Sequence, residues 1–210
     1  MQLTSSAFVD GGRIPAGFAF GAIDPAAHVK LSDNTNPDLR WSDVPAGAKS
    51  LALICHDPDV PSRGDDVNQE GRTIPVSLPR VDFFHWVLFD LAPDAAPIAR
   101  GEFSRGVTPR GKPGPAAPRG AKQGINDYTG WFKGDKDMEG PYFGWDGPCP
   151  PWNDSRTHHY RFELLALDLE HCPVEGEFTA AQVRQAIAGH VLASTSLVGR
   201  YALYPLIRLR

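Results

Sequence analysis

Two imidazoles and a carboxylate, each set beside prolines, are the residues of this 210-residue chain best placed to do chemistry. Asp57 opens Asp57-Pro58-Asp59-Val60-Pro61, and His85 opens a run that begins His85-Trp86. His158 opens His158-His159-Tyr160, shortly after Gly147-Pro148-Cys149-Pro150-Pro151. Proline fixes φ, so a loop built from it has little freedom left to lose when a ligand binds. A carboxylate beside imidazoles favours their protonated forms, and imidazolium donors hold phosphate through charge-assisted hydrogen bonds. The pattern is that of a small preformed anion pocket with no metal and no cofactor.

Side-chain alternation decides which of these groups point inward. From His158 onward, His158, Tyr160, Phe162, Leu164 and Ala166 share one face, while His159, Arg161 and Glu163 take the other. Only the first set is mainly apolar, so His158 and Tyr160 are expected at the mouth of a core-facing surface and His159 in solvent. The same count groups His85 with Val87, Phe89 and Leu91, opposite Trp86 and Leu88, on a central strand covered on both sides. Asp57 is expected to end its strand, because Pro58 removes a ladder donor.

Plainer readings compete at each position. His85 and His158 could be satisfied core histidines. Asp57 could be a turn aspartate bonded to its own backbone, a role that fits Asp59 better. Gly147 either tightens a rigid loop or lets a ligand approach the backbone. Cys149 could act as a nucleophile with His158 as base, but no nucleophile elbow or oxyanion-hole pattern accompanies it. Metal-dependent hydrolysis has two histidines and an aspartate available, but no helical His-Glu-x-x-His spacing.

The elements that must position these groups are short strands. Twenty prolines and 21 glycines exclude long helices over most of the chain and point to an all-β fold. Strands are expected at 50–55, 85–91, 158–167 and 197–203. Between 177 and 191, Thr179 and Gln182 form a capping-box pattern and Val183, Ile187 and Val191 recur at helical spacing, predicting one amphipathic helix over the end of the sheet. One domain spans 1–210, with a long excursion at 93–141 too poor in apolar residues to be core. Within it the aromatics of 126–132 are expected to anchor onto the body or onto a second copy of the chain.

A net charge of -4 without a basic stripe argues against nucleic acid as a partner. Three cysteines without paired short spacing read as free thiols. The first residues lack a signal-peptide pattern, and no apolar stretch is long enough to span a bilayer, so a cytoplasmic location is expected.

The ordered motifs also resemble the phosphatidylethanolamine-binding protein family, and within it the bacterial Raf-kinase-inhibitor-like branch. The likeness extends through Phe18-Ala19-Phe20, Asn36-Pro37-Asp38-Leu39-Arg40-Trp41, Val44-Pro45-Ala46-Gly47 and Gly199-Arg200-Tyr201. The resemblance implies a Greek-key β-sandwich with a few short peripheral helices. It also implies a ligand pocket of Asp57, Pro61, His85, Gly147, Pro148, His158 and Tyr160, with either Pro150 or Pro151 in its wall. Phe83 stands where many relatives carry tryptophan. The function implied is non-enzymatic binding of a small phosphate-bearing anion resembling a phospholipid head group, with a kinase-inhibiting or scaffolding role and a homodimer as further expectations. A small hydrolase using the same residues is the alternative.

Overall fold

Residues 1–209 are described by a computed structural model. The chain forms β1 (Gln2–Thr4), β2 (Gly12–Arg13), β3 (Gly21–Asp24), β4 (His28–Leu31) and β5 (Arg40–Ser42) before its long strands begin. β6 (Ser50–Pro61) and β7 (Arg80–Leu91) follow, then β8 (Lys122–Gln123), α1 (Tyr128–Trp131), β9 (His158–Leu167), α2 (Ala180–Ala186) and β10 (Val191–Tyr201). The main sheet runs β2-β10-β9-β6-β7-β8, and the pairs β1-β5 and β3-β4 form two small ribbons. Within that order β6, β7 and β8 pair antiparallel in sequence while β9 returns to the free side of β6, which is a Greek key.

Each face of the sheet is closed by a different layer. Leu53, Cys55, Trp86, Leu88, Phe162 and Leu164 pack on one side with Leu3 of β1, Phe18 and Trp145. Ile54, Val87, Phe89, Leu165 and Leu167 pack on the other, under Phe178, Val183 and Ile187. Each such side chain contributes about 1.5–3 kcal/mol on leaving water, so both layers stabilise the sheet substantially. The all-β reading and the near-continuous apolar character of the central strands agree, since strands covered on both faces lose simple alternation.

Several expectations need correction. β6 does not stop at Asp57; a register shift between Asp57 and Val60 lets the strand pass Pro58 and run to Pro61. A bulge accommodates proline because the bulged residue need not donate to the ladder. α2 is shorter than the pattern predicted: the Thr179–Gln182 capping box forms, but Val191 already belongs to β10. Its apolar stripe lies on the face of the sheet rather than at its end.

The excursion at 93–141 is folded onto the body more closely than its composition predicted. Ile98 pairs with Leu39, and Ala121 and Tyr128 are buried. Lys112, in the polar stretch dismissed as non-core, reaches the buried Asp146 carboxylate at 3.0 Å. Of the aromatics expected to anchor, Tyr128 is buried against Phe20, while Trp131 is exposed.

The capping box gives a direct check on how α2 is held. Thr179→Ala removes the acceptor for the Gln182 amide and is expected to cost about 1 kcal/mol in urea unfolding, with an unchanged slope. An unchanged midpoint would mean that packing alone sets this helix.

Candidate functional site

The site begins with a buried chain of charges below a cavity. β9 carries His158 inward at its first position, where Nδ1 lies 2.6 Å from Asp57 Oδ2 and Nε2 lies 3.1 Å from Asp154 Oδ2. Arg80, at the start of β7, donates in turn to both oxygens of Asp154. Two cations and two carboxylates thus alternate in an almost dry setting. Burial opposes the charge on His158, but Asp57 and Asp154 outweigh it and raise the imidazole to about 9. Burial also works against the charge on Asp154, yet His158 and Arg80 hold its carboxyl below the usual range.

His85 occupies the other ionisation state. The strand pairing matches Cys55 with Trp86 and His56 with Phe84, so His85 is the extra residue of a β-bulge. Bulges re-aim side chains, and this one turns His85 to the face of Trp86. Its ring lies 5.0 Å from Tyr160 and 5.8 Å from Tyr128. The expected grouping of His85 with Val87, Phe89 and Leu91 therefore fails at both ends, because a second register shift also moves Leu91 to the face of Leu88. Nor does His85 begin its strand, which starts at Arg80.

The His85 ring is fixed from behind. Nδ1 donates to the Asp146 carbonyl at 2.7 Å, and the Asp146 amide donates to the His85 carbonyl at 3.1 Å. The Asp146 side chain is itself held by Asn34, Asn126 and Lys112. Burial lowers His85 to about 4, with Asp57 pulling the other way but not far enough. The ring is therefore neutral at pH 7, its proton sits on Nδ1, and Nε2 is left with a lone pair and no partner among the described residues.

Both histidines, Asp57, Pro61 and Tyr160 line a cavity of about 370 Å³. Phe20, Phe83, Tyr128, Trp131 and Phe132 form its aromatic walls, and Pro150 and Pro151 both contribute, which settles the choice between them. Phe83, 5.0 Å from the His85 ring, keeps that part of the wall aromatic. Arg63 and Asn68 come from the loop after β6, and Asn153 pins that loop through the Asn68 amide and the Asp66 carbonyl.

Gly147 and Pro148 do not line this cavity. The Gly147 amide donates to Asn34, its carbonyl accepts from the Tyr128 hydroxyl, and an added Cβ would meet the Phe18 carbonyl at 2.1 Å. Glycine is required there for close packing of two backbones rather than for approach of a ligand. The Pro148 carbonyl accepts from the amides of Phe20 and Gly21.

Asp57 fills both roles set against each other above: Oδ1 accepts from the Asp59 amide while Oδ2 holds His158. Asp59 is not a turn aspartate but holds Arg156 and His159. His159 is half exposed, as the face count predicted. Asp154, Arg80, Asp146 and Lys112 were missed. Asp154 sits in Trp152-Asn153-Asp154-Ser155, which reads as a turn, and only its spacing of four residues before His158 hinted at a shared role.

This geometry can be set beside known proteins. The sequence model of the phosphatidylethanolamine-binding protein family matches residues 4–202. A UPF0098 protein of Methanothermobacter thermautotrophicus is 33% identical over 201 residues, covering 96% of this chain and 98% of that one. The UPF0098 protein YbhB of Escherichia coli is 29% identical, with 96% and 100% covered. Among solved structures, Escherichia coli YbcL, described as a member of the mammalian PEBP family, superposes with a TM-score of 0.66 at 25% identity, covering 96% of this chain and 97% of that one. The homologue CT736 from Chlamydia trachomatis, described as a putative phosphatidylethanolamine-binding protein homologue, gives 0.63 at 29% identity, with 95% of each chain covered. The chain belongs to the phosphatidylethanolamine-binding protein family.

The opposed shifts of the two histidines predict a stability maximum near neutrality. His158 is raised in the fold, so its contribution is present below ~6.5 and is lost as pH rises through about 9, a loss on the order of 3 kcal/mol. His85 is depressed, so the unfolded chain takes up its proton first and stability falls as pH drops from ~6.5 toward about 4. Urea midpoints measured across pH should show both limbs, with the alkaline limb flattened in His158→Gln and the acid limb in His85→Gln. Unchanged limbs in those variants would remove the assignment.

Proposed function

We propose that the protein binds a small phosphate-bearing ligand in the aromatic cavity without turning it over. The observation that carries this reading is the Nε2 atom of His85: a hydrogen-bonding group fixed in direction, without a partner among the described residues, in a preformed and mainly apolar cavity. Arg63 at the mouth is the lysine or arginine of the lining, and its long exposed side chain can close on an anion. His158 acts here at one remove. Both of its nitrogens are committed to carboxylates, so it holds Asp57 and the neighbouring Tyr160 in place rather than donating to the ligand.

Catalysis is disfavoured by the same chemistry. Burial pushes the Cys149 thiol up to about 12, far from a thiolate at neutral pH. His158 has no free nitrogen to accept a proton, and His85, lowered to about 4, is a weak base. Among the described residues, no helix is long and apolar enough to cross a membrane. The free thiols of Cys55, Cys149 and Cys172 support a reducing, cytoplasmic setting.

Calorimetry with O-phosphoethanolamine at pH 5.5 tests the reading through the two kinds of histidine. His85→Ala should lose measurable binding, whereas His159→Ala should retain it and change stability by about 0.5–1 kcal/mol through its lost contact with Asp59. Binding that survives His85→Ala would overturn the assignment. Turnover of phosphate or carboxylic esters abolished by the same substitution would favour the hydrolase alternative, and capture of a kinase unaffected by it would favour a protein-interaction role.

A further inference from the structure

The ionisation state built into the cavity restricts the ligand more narrowly than its size does. We propose that the site selects phosphate monoesters in their monoanionic form over phosphate diesters, because it presents a fixed ring lone pair and a nearby carboxylate where the ligand must supply a P–OH. The proposal rests on the phosphate-binding reading above and adds to it the chemical class of the ester.

The geometry behind it starts at Asp146. With its carboxylate locked by Asn34, Asn126 and Lys112, its carbonyl cannot turn away, and the 2.7 Å contact requires the His85 proton on Nδ1. A neutral imidazole so held is an acceptor at Nε2. The other titratable groups near the cavity do not reverse this. Asp57 and Asp154 are balanced by His158 and Arg80, so this cluster adds no net positive charge to attract a fully ionised ligand. Tyr128, Tyr160 and Cys149 stay neutral because burial opposes their ionisation. His56 is lowered by burial and packs toward Phe84 and Arg184, and Arg63 is at the mouth.

A phosphate monoester monoanion meets this surface with its P–OH donating to Nε2 and one net charge for Arg63. A diester has no such proton. Its oxygens would face a lone pair and a carboxylate, or His85 would have to take a proton from water. A site made to pair with a hydroxyl rejects analogues that lack it far more strongly than a site matched only in shape.

The test compares two ligands that share an ethanolamine group, O-phosphoethanolamine as the monoester and glycerophosphoethanolamine as the diester, by calorimetry on the full chain. At pH 5.5 protonating His85 for the diester costs up to about 30-fold, from the gap between that pH and about 4, so the monoester should bind tenfold or more tightly. Since a phosphomonoester loses its second proton near ~6, monoester affinity should fall about 25-fold between pH 5.5 and 7.5. In Lys112→Met, imidazole 15N shifts should show the His85 proton no longer confined to Nδ1, with the preference for monoester reduced; Lys112→Arg should restore both.

Equal binding of the two esters at pH 5.5, or monoester affinity unchanged up to pH 7.5, would overturn the selectivity while leaving phosphate binding intact. If neither ester bound, the functional reading would fail and the selectivity with it. Should Lys112→Met not fold, the two-ester comparison on the unaltered chain still decides the matter.

Discussion

The site depends on one constraint: His158 is sealed at the first position of β9 with both ring nitrogens facing carboxylates. A buried imidazole between two carboxylates is driven to its charged form, and each carboxylate then needs further donors. Arg80 and the Arg156 amide supply those for Asp154, and the Asp59 amide supplies one for Asp57. Satisfying these groups fixes the end of β6, the start of β7 and the loop before β9 relative to one another. Removing any one member would leave an unmatched charge in a dry place, which costs far more than the intact chain contributes.

That arrangement separates the two histidines into different tasks. The Asp57 carboxylate was expected to protonate both, yet it reaches only His158 by a direct hydrogen bond. His85 lies among Tyr128, Tyr160 and Trp145, where loss of hydration dominates and the weaker field of Asp57 is insufficient. The charged imidazole therefore carries structure and the neutral one faces the cavity. This inverts the role that a charge-assisted anion pocket would give them.

Local pattern revealed parts of the four long strands and the inward face of β9, because burial on one face leaves a period-two record in residue type. His158 and Tyr160 could be placed inward and His159 outward on that basis alone. The same rule misplaced His85, since a bulge adds one residue without any mark in the alternation, and both sides of β7 are apolar in any case. Asp154, Arg80 and Lys112 were not legible for a different reason. Their partners lie 4, 74 and 34 positions away, and polar residues in turns look alike until the fold brings them together.

The bulge and the excursion answer the same physical need. A histidine aimed into an apolar cavity must have its remaining donor satisfied from outside the sheet, because the ladder offers only backbone groups within its own plane. The Asp146 carbonyl meets that need, and its side chain stays fixed only because Asn126 and Lys112 come from the excursion and Asn34 from the chain after β4. A segment whose composition looks too polar for core thus helps to fix which nitrogen of His85 bears the proton. Substitution at Lys112 or Asn126, neither of which lines the cavity, would therefore reach the His85 ring through Asp146.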